Sequence, residues 1–254
     1  MNRTLLFAGR NTKEILRDPL SYLFCLGFPI VMLVIMTAVN EGIPPEAGMD
    51  IFGIQKLAPA VGVFGLMFTM LFAALQVSKD RGGSFLIRLY ASPMRSVDFI
   101  AGYFLPCLLI GTVQLLFCML CALVIGAVTG TALSIANLPL TILVLLLPAV
   151  LLIGFGILFG SLFSDKAAPG LCSIIISVGT MLGGVFMDVE GLGGVIYRIS
   201  AVFPFYHCVK AGRAALMGEY EKIAEALPII LIYTVLVVCG ASIAFGRKMK
   251  ADLN

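Results

Sequence analysis

Residues Ser78 to Asp98 read SKDRGGSFLIRLYASPMRSVD. Six charged residues, Lys79, Asp80, Arg81, Arg88, Arg95 and Asp98, fall in this stretch. The apolar runs on either side, Leu57 to Val77 and Phe99 to Val128, carry no charge. Within the stretch, Gly82 and Gly83 break the chain before a short helix, and Pro93 is a stop. Between them Phe85, Leu86, Leu89 and Tyr90 recur at helical spacing, which predicts a short amphipathic helix. A helix of this kind between two membrane spans, basic on its polar side, lies flat at a membrane surface. There it is open to contact with another protein.

Composition fixes the solvent. The chain has 254 residues, 60% hydrophobic and 12% charged, with a mean hydropathy of +1.07. Apolar runs of about 20 residues mark membrane-spanning helices. The pattern predicts an all-α integral membrane protein with a single membrane domain over residues 1–254 and six spans. These run from about Tyr22 to Val39, Leu57 to Val77, Phe99 to Val128, Leu138 to Phe163, Ala167 to Met187 and Leu227 to Gly246. Residues 1–19 form a basic arm with apolar points at Leu5, Leu6, Ile15 and Leu16, which predicts an interfacial helix. No small-x-small cleavage site follows the first apolar run, so it is expected to stay as an anchor. The segment 188–226 holds apolar pieces too short to cross a bilayer. It predicts two short helices meeting at Pro204 that dip into one leaflet or lie on it.

Charge sets the orientation. Six spans put both termini on one side. Twelve basic residues fall on that side, in the arm, in 78–98, at Lys166 and in the tail, against five opposite: Lys56, Arg198, Lys210, Arg213 and Lys222. The positive-inside rule then makes both termini and 78–98 cytoplasmic and 188–226 external, in a cell membrane.

Several chemistries are missing from the sequence. There is no G-x-x-x-x-G-K-[ST] phosphate loop. His207, the one histidine, and the scattered acids make no metal or hydrolase constellation. Six of the seven cysteines fall inside apolar runs, which argues against a disulfide framework, and Cys118-x-x-Cys121 reads as packing more readily than as a metal or redox pair. The basic residues are few and flank spans, which argues against nucleic acid. No span carries a charge at its centre, unlike ion-coupled carriers. The pairs Gly156/Gly160 and Gly179/Gly183 are G-x-x-x-G motifs, readable as close contact within one bundle or at a dimer interface. Met32, Met36, Met67, Met70 and Met181 offer an adaptable apolar surface or lipid-facing filler.

Several local patterns coincide with a known family. Leu16-Arg17-Asp18-Pro19 and Phe28-Pro29 at the first span, Arg88-Leu89-Tyr90-Ala91-Ser92-Pro93 with Gly102 after it, and Phe203-Pro204-Phe205-Tyr206 with Arg213 to Gly218 lie in one order along the chain. Together they resemble the permease subunits of type-2 ATP-binding-cassette exporters. The family's acid ahead of the Arg-Leu pair is replaced here by Ile87. The resemblance implies a non-enzymatic subunit that dimerises and binds a separate ATPase chain, with ATP and Mg held by that partner. It implies contact with the ATPase through Asp80, Arg81, Phe85, Arg88, Leu89, Tyr90 and Pro93, supported by Arg17, Asp18 and Pro19. It implies a dimer interface or path along Met32, Met36, Met70, Gly179 and Gly183, and an external element with Pro204, Tyr206, His207 and Arg213. The implied cargo is an amphiphilic, lipid-like or drug-like molecule, with polysaccharide as an alternative. An ATP-independent channel or a lipid-interacting structural protein is the competing class.

Overall fold

The arm folds as helix α1 (Arg3–Arg17), and the chain turns into the bundle at Asp18. The Asp18 carboxylate accepts the Leu20 N–H at 3.1 Å and the Ser21 hydroxyl at 3.1 Å. It caps helix α2 (Pro19–Tyr22), whose first residue is a proline and so lacks an N–H that would go unpaired there. A π turn, Leu23–Gly27, leads into α3 (Phe28–Gly42). The wider turn stands immediately before Pro29, where an ordinary helical turn would bring the proline ring against a carbonyl. The computed structural model describes residues 3–44, 50–83 and 96–251.

The remaining elements are α4 (Ile54–Gly82), α5 (Ser96–Val128), a 3-10 turn Ile135–Asn137, α6 (Leu138–Leu162), α7 (Ala168–Leu182), α8 (Val189–Leu192), α9 (Gly194–Val202), α10 (Pro204–Met217) and α11 (Tyr220–Ala251). No strand occurs among the described residues. Among the described residues, five helices are long and apolar enough to cross a membrane: Pro19–Gly42, Ile54–Gly82, Val97–Val128, Ile135–Leu162 and Tyr220–Lys248. The fifth expected span is shorter than its apolar run. Helix α7 has 15 residues, about 22 Å at 1.5 Å per residue, against a hydrocarbon core of about 30 Å. It stops because Gly184 takes a left-handed conformation, φ +69°, that side chains disfavour. The expected break after the second span falls at Gly82-Gly83, although α4 continues past Val77 to reach it.

Helix α4 is the axis of the bundle. Of its most apolar window 83% is buried, against 22% for the first span. Small residues make this possible. Gly156 and Gly160 of α6 lie directly on the α4 backbone between Met70 and Val77. A Cβ at Gly160 would sit 2.6 Å from the Ala74 carbonyl oxygen and 2.8 Å from the Val77 Cβ. This pair therefore serves packing within one chain. In a bilayer such close backbone approach, through dispersion contacts, holds helices together where water supplies no driving force.

Both ends of the chain meet at one end of the bundle. Phe7 of α1, Phe99 and Tyr103 of α5, and Phe245 of α11 share one buried cluster, with the Phe7 ring 5.0 Å from that of Tyr103. At the far end, Arg213 of α10 bonds the carbonyls of Lys56, ahead of the buried part of α4, and Gly184, just past α7. The 188–226 segment holds three short helices, α8 to α10, one more than expected, and the first turns of α11, with α9 and α10 meeting at Pro204 as expected. Helix α9 leaves Val195, Ile199 and Val202 exposed, whereas α10 is largely buried and ends on Gly218 in the left-handed conformation.

The α4–α6 contact sets an expectation for stability. Gly160→Leu must push two backbones apart, at a cost of about 1–3 kcal/mol. Gly240→Leu, with nothing within 4 Å of its Cβ position, is the control. The protein has no Trp and most of its free cysteines are buried. A thiol-reactive dye therefore reports unfolding, and its midpoint should fall by several degrees for Gly160→Leu only.

Candidate functional site

Residues 84–95, with Phe85, Leu86, Arg88, Leu89, Tyr90 and Pro93, lie outside the described residues. Their two roots are described, and both are tied to α1. On the α4 side, Asp80 is 5% exposed. Its carboxylate takes two bonds from the Arg10 guanidinium, at 2.7 and 3.1 Å, and one from the Tyr103 hydroxyl at 2.9 Å. A bidentate guanidinium fixes angle as well as distance. On the α5 side, Thr4 donates to Asp98 at 2.8 Å. Between them Asn11 donates to the Gly102 carbonyl at 2.9 Å, and Gln76 donates to the Asn11 carbonyl at 3.3 Å. The Phe7 ring lies over Gly102 where any Cβ would collide with it.

The sequence reading turned Asp80 and Arg81 toward a partner chain; the structure commits both to contacts within the protein. Asp80 is held by Arg10 and Tyr103. Arg81 donates to the carbonyls of Gly160 at 3.1 Å and of Ser161. Those carbonyls end α6, where helical bonding leaves acceptors open and the helix dipole favours a cation. Residues Arg17, Asp18 and Pro19 line a cleft of about 1220 Å³ at this end, together with Lys13 of α1, Lys79 of α4 and Asp165.

The dimer and path candidates divide. Met32 and Met36 are half-buried on α3, whereas Met70 is fully buried inside the core. Gly179 and Gly183 also face inward, correcting their reading as an outer contact. A Cβ at Gly179 would lie 3.1 Å from Met67 Cε and 3.2 Å from the Phe205 ring, and one at Gly183 3.4 Å from Phe205 Cβ. The flat backbone of α7 makes room for Phe205 of α10. The outer face of α7 instead carries Ser173, Ile174, Ser177, Val178 and Met181, all exposed.

At the far end, Pro204 opens α10, and Tyr206 donates to Glu190 at 2.5 Å. Burial and the neighbouring Glu190 carboxylate push the Tyr206 phenol up from its ordinary value. His207 donates through Nε2 to the Ala201 carbonyl at 2.8 Å and so ties α10 to α9. Arg213 donates through Nε to Lys56 at 3.0 Å and through Nη2 to Gly184 at 2.8 Å. Burial lowers its pKa to about 10, so it stays charged at neutral pH. The cysteines are free thiols, and Cys118 packs in the core. The sequence reading missed Arg10, Tyr103, Asp188 and Glu190. Arg10 finds its partner 70 residues along the chain and Glu190 finds its own 16 residues along.

The Arg10–Asp80 bond can be weighed directly. Arg10 is 37% exposed, so removing either partner should cost about 1–3 kcal/mol, less than the ~3–5 of a fully buried pair. A double-mutant cycle of Arg10→Gln and Asp80→Asn, read by thermal unfolding, should be non-additive by about 1 kcal/mol. Simple additivity means that the two do not act together.

The family model described as ABC-2 type transporter matches residues 3–217. No curated protein matches the chain significantly. The match spans the arm, the α4–α6 axis, both roots of the 84–95 segment and α10 through Arg213. The chain therefore belongs to the ABC-2 type transporter family and is a transmembrane permease subunit of an ATP-binding-cassette transporter.

Proposed function

We propose that this subunit is the moving part of an ATP-driven exporter. Segment 84–95 is the contact with a separate ATPase chain that holds ATP and Mg. The observation that carries the reading is the double anchorage of that segment. Asp80 just before it and Asp98 just after it are both bonded to α1. A push on 84–95 is then delivered to α1, α4 and α5 as one body. Arg81 adds the end of α6 to the same body. Binding ATP better in one state than the other is what would drive the change.

In this reading α7 counts as a sixth crossing, since it joins the arm end to the far end. The arm end is cytoplasmic by the twelve-to-five asymmetry of basic residues, in the plasma membrane. Two copies pair with their first spans and the outer face of α7 toward each other. Ser173 and Ser177 on that face permit close approach. The exposed apolar sides of α3 and α7 suit an amphiphilic, lipid-like or drug-like cargo leaving outward between the copies.

Two measurements test this. Glu221, exposed at the start of α11, is placed outside, so Glu221→Cys should react with a membrane-impermeant thiol reagent in intact cells. Reaction only after permeabilisation reverses the orientation. The double variant Phe85→Ala/Arg88→Ala should reach the membrane normally yet recover less ATPase on co-purification, or hydrolyse ATP without export. Aromatic and arginine anchors at such contacts are worth about 2 kcal/mol or more each. Unchanged ATPase binding and export in that variant would place the coupling elsewhere and favour a basic loop that only orients the chain.

A further inference from the structure

A second charged site lies at the far end of the bundle. A pocket of about 460 Å³ opens there between the start of α4, the Gly183-Gly184 turn, α8, α10 and the start of α11. That volume suits a small polar group. Three lysines on its wall are already neutralised. Lys56 pairs with Asp50 at 2.6 Å, Lys222 with Glu219 at 2.9 Å, and Lys210 with Glu225 at 2.8 Å.

Three lining charges remain: Arg213, Asp188 and Glu190. Among the described residues no carboxylate comes within ion-pair distance of Arg213, and no basic group comes that close to Asp188 or Glu190. Arg213 spends Nε and Nη2 on backbone carbonyls, which leaves Nη1 without a described protein acceptor. Asp188 accepts the Gly191 N–H on one oxygen, and Glu190 accepts the Tyr206 hydroxyl on one oxygen. Each carboxylate keeps its other oxygen. Arg213 is half-buried, and the two exposed acids act on it across the cavity from beyond ion-pair distance, so the three charges face one another with room for a group between them. Burial lowers the proton affinity of Arg213, and the Glu190 and Asp188 carboxylates across the pocket offset part of that lowering.

A single ion cannot satisfy this set, since an anion suits Arg213 and a cation suits the acids. We propose that the pocket binds the zwitterionic polar group of an amphiphile, its anionic centre on Arg213 and its ammonium on Asp188 and Glu190. The proposal rests on the exporter reading in one respect: it makes this pocket the outward-facing resting place of the cargo's head, beside the end of α7. The chemistry is shared by a phospholipid headgroup and by a free zwitterion such as phosphoethanolamine.

The test uses the full chain in a maltoside detergent, with unfolding followed by a thiol dye. Phosphoethanolamine should raise the unfolding temperature saturably. Inorganic phosphate alone and ethanolamine alone should each bind at least tenfold more weakly. Arg213→Gln and Glu190→Gln should each weaken phosphoethanolamine at least tenfold. Because Arg213→Gln also frees two backbone carbonyls and can unfold the protein, Glu190→Gln is the deciding variant: its side chain is exposed and its amide oxygen still accepts from Tyr206. Dihexanoyl phosphatidylethanolamine, kept below its micelle concentration, separates the sources. Tighter binding than phosphoethanolamine supports a lipid headgroup, and equal binding supports recognition of the zwitterion itself. No saturable shift, equal binding of inorganic phosphate, or undiminished binding to Glu190→Gln each overturn the proposal. The assay needs no ATPase, so its failure leaves the coupling reading standing, and the converse holds.

Discussion

The contact of Gly156 and Gly160 with the α4 backbone is the constraint from which the bundle follows. With no side chain on Gly156 or Gly160, α4 and α6 approach until α4 carbonyls lie where a Cβ on either glycine would have to sit. Lipid tails are as apolar as leucine, so greasiness alone gives two membrane helices no reason to associate. Close approach does, because it multiplies dispersion contacts along the crossing. Once α4 is sheathed by α6, α5 packs on another side, where Gly65 leaves space for the Gln114 side chain. The outer helices then present their apolar faces outward, as Leu109, Val113 and Leu120 of α5 and Leu231, Ile232 and Val235 of α11 do.

At the arm end this rigid axis meets a polar clamp. Asp80 is a buried acid at the last turn of α4, and it is tolerated because Arg10 and Tyr103 satisfy it from two other helices. The clamp ties α1 to the two spans that bracket residues 84–95. A force arriving there has little slack to take up before it reaches the bundle. Arg81 closes the same end by occupying the open carbonyls of α6. In the proposed coupling, stability and transmission draw on the same bonds.

The far end is organised by a single guanidinium. Arg213 holds the start of α4 and the turn after α7 to α10 through two backbone carbonyls. Those bonds satisfy geometry without neutralising charge. The charge of Arg213 therefore faces the pocket, where Asp188 and Glu190 oppose it without direct contact.

Much of this protein was legible in its sequence. Hydropathy alone located the five helices long and apolar enough to cross a membrane among the described residues, because the bilayer core sorts residues by transfer free energy over windows of about 20. Short-range stereochemistry located the breaks: Asp18-Pro19 caps and starts a helix, Gly82-Gly83 ends one, and Pro204 begins another. Each of these acts within a turn or two of its own position. The tertiary structure alone decided what Asp80, Arg81, Met70, Gly179 and Arg213 touch. Asp80 finds Arg10 across 70 residues and Arg213 finds Lys56 across 157. Such pairings depend on how each helix is rotated and raised against its neighbours. Neither hydropathy nor spacing records that rotation, since a glycine pair looks the same from outside a bundle or from within it.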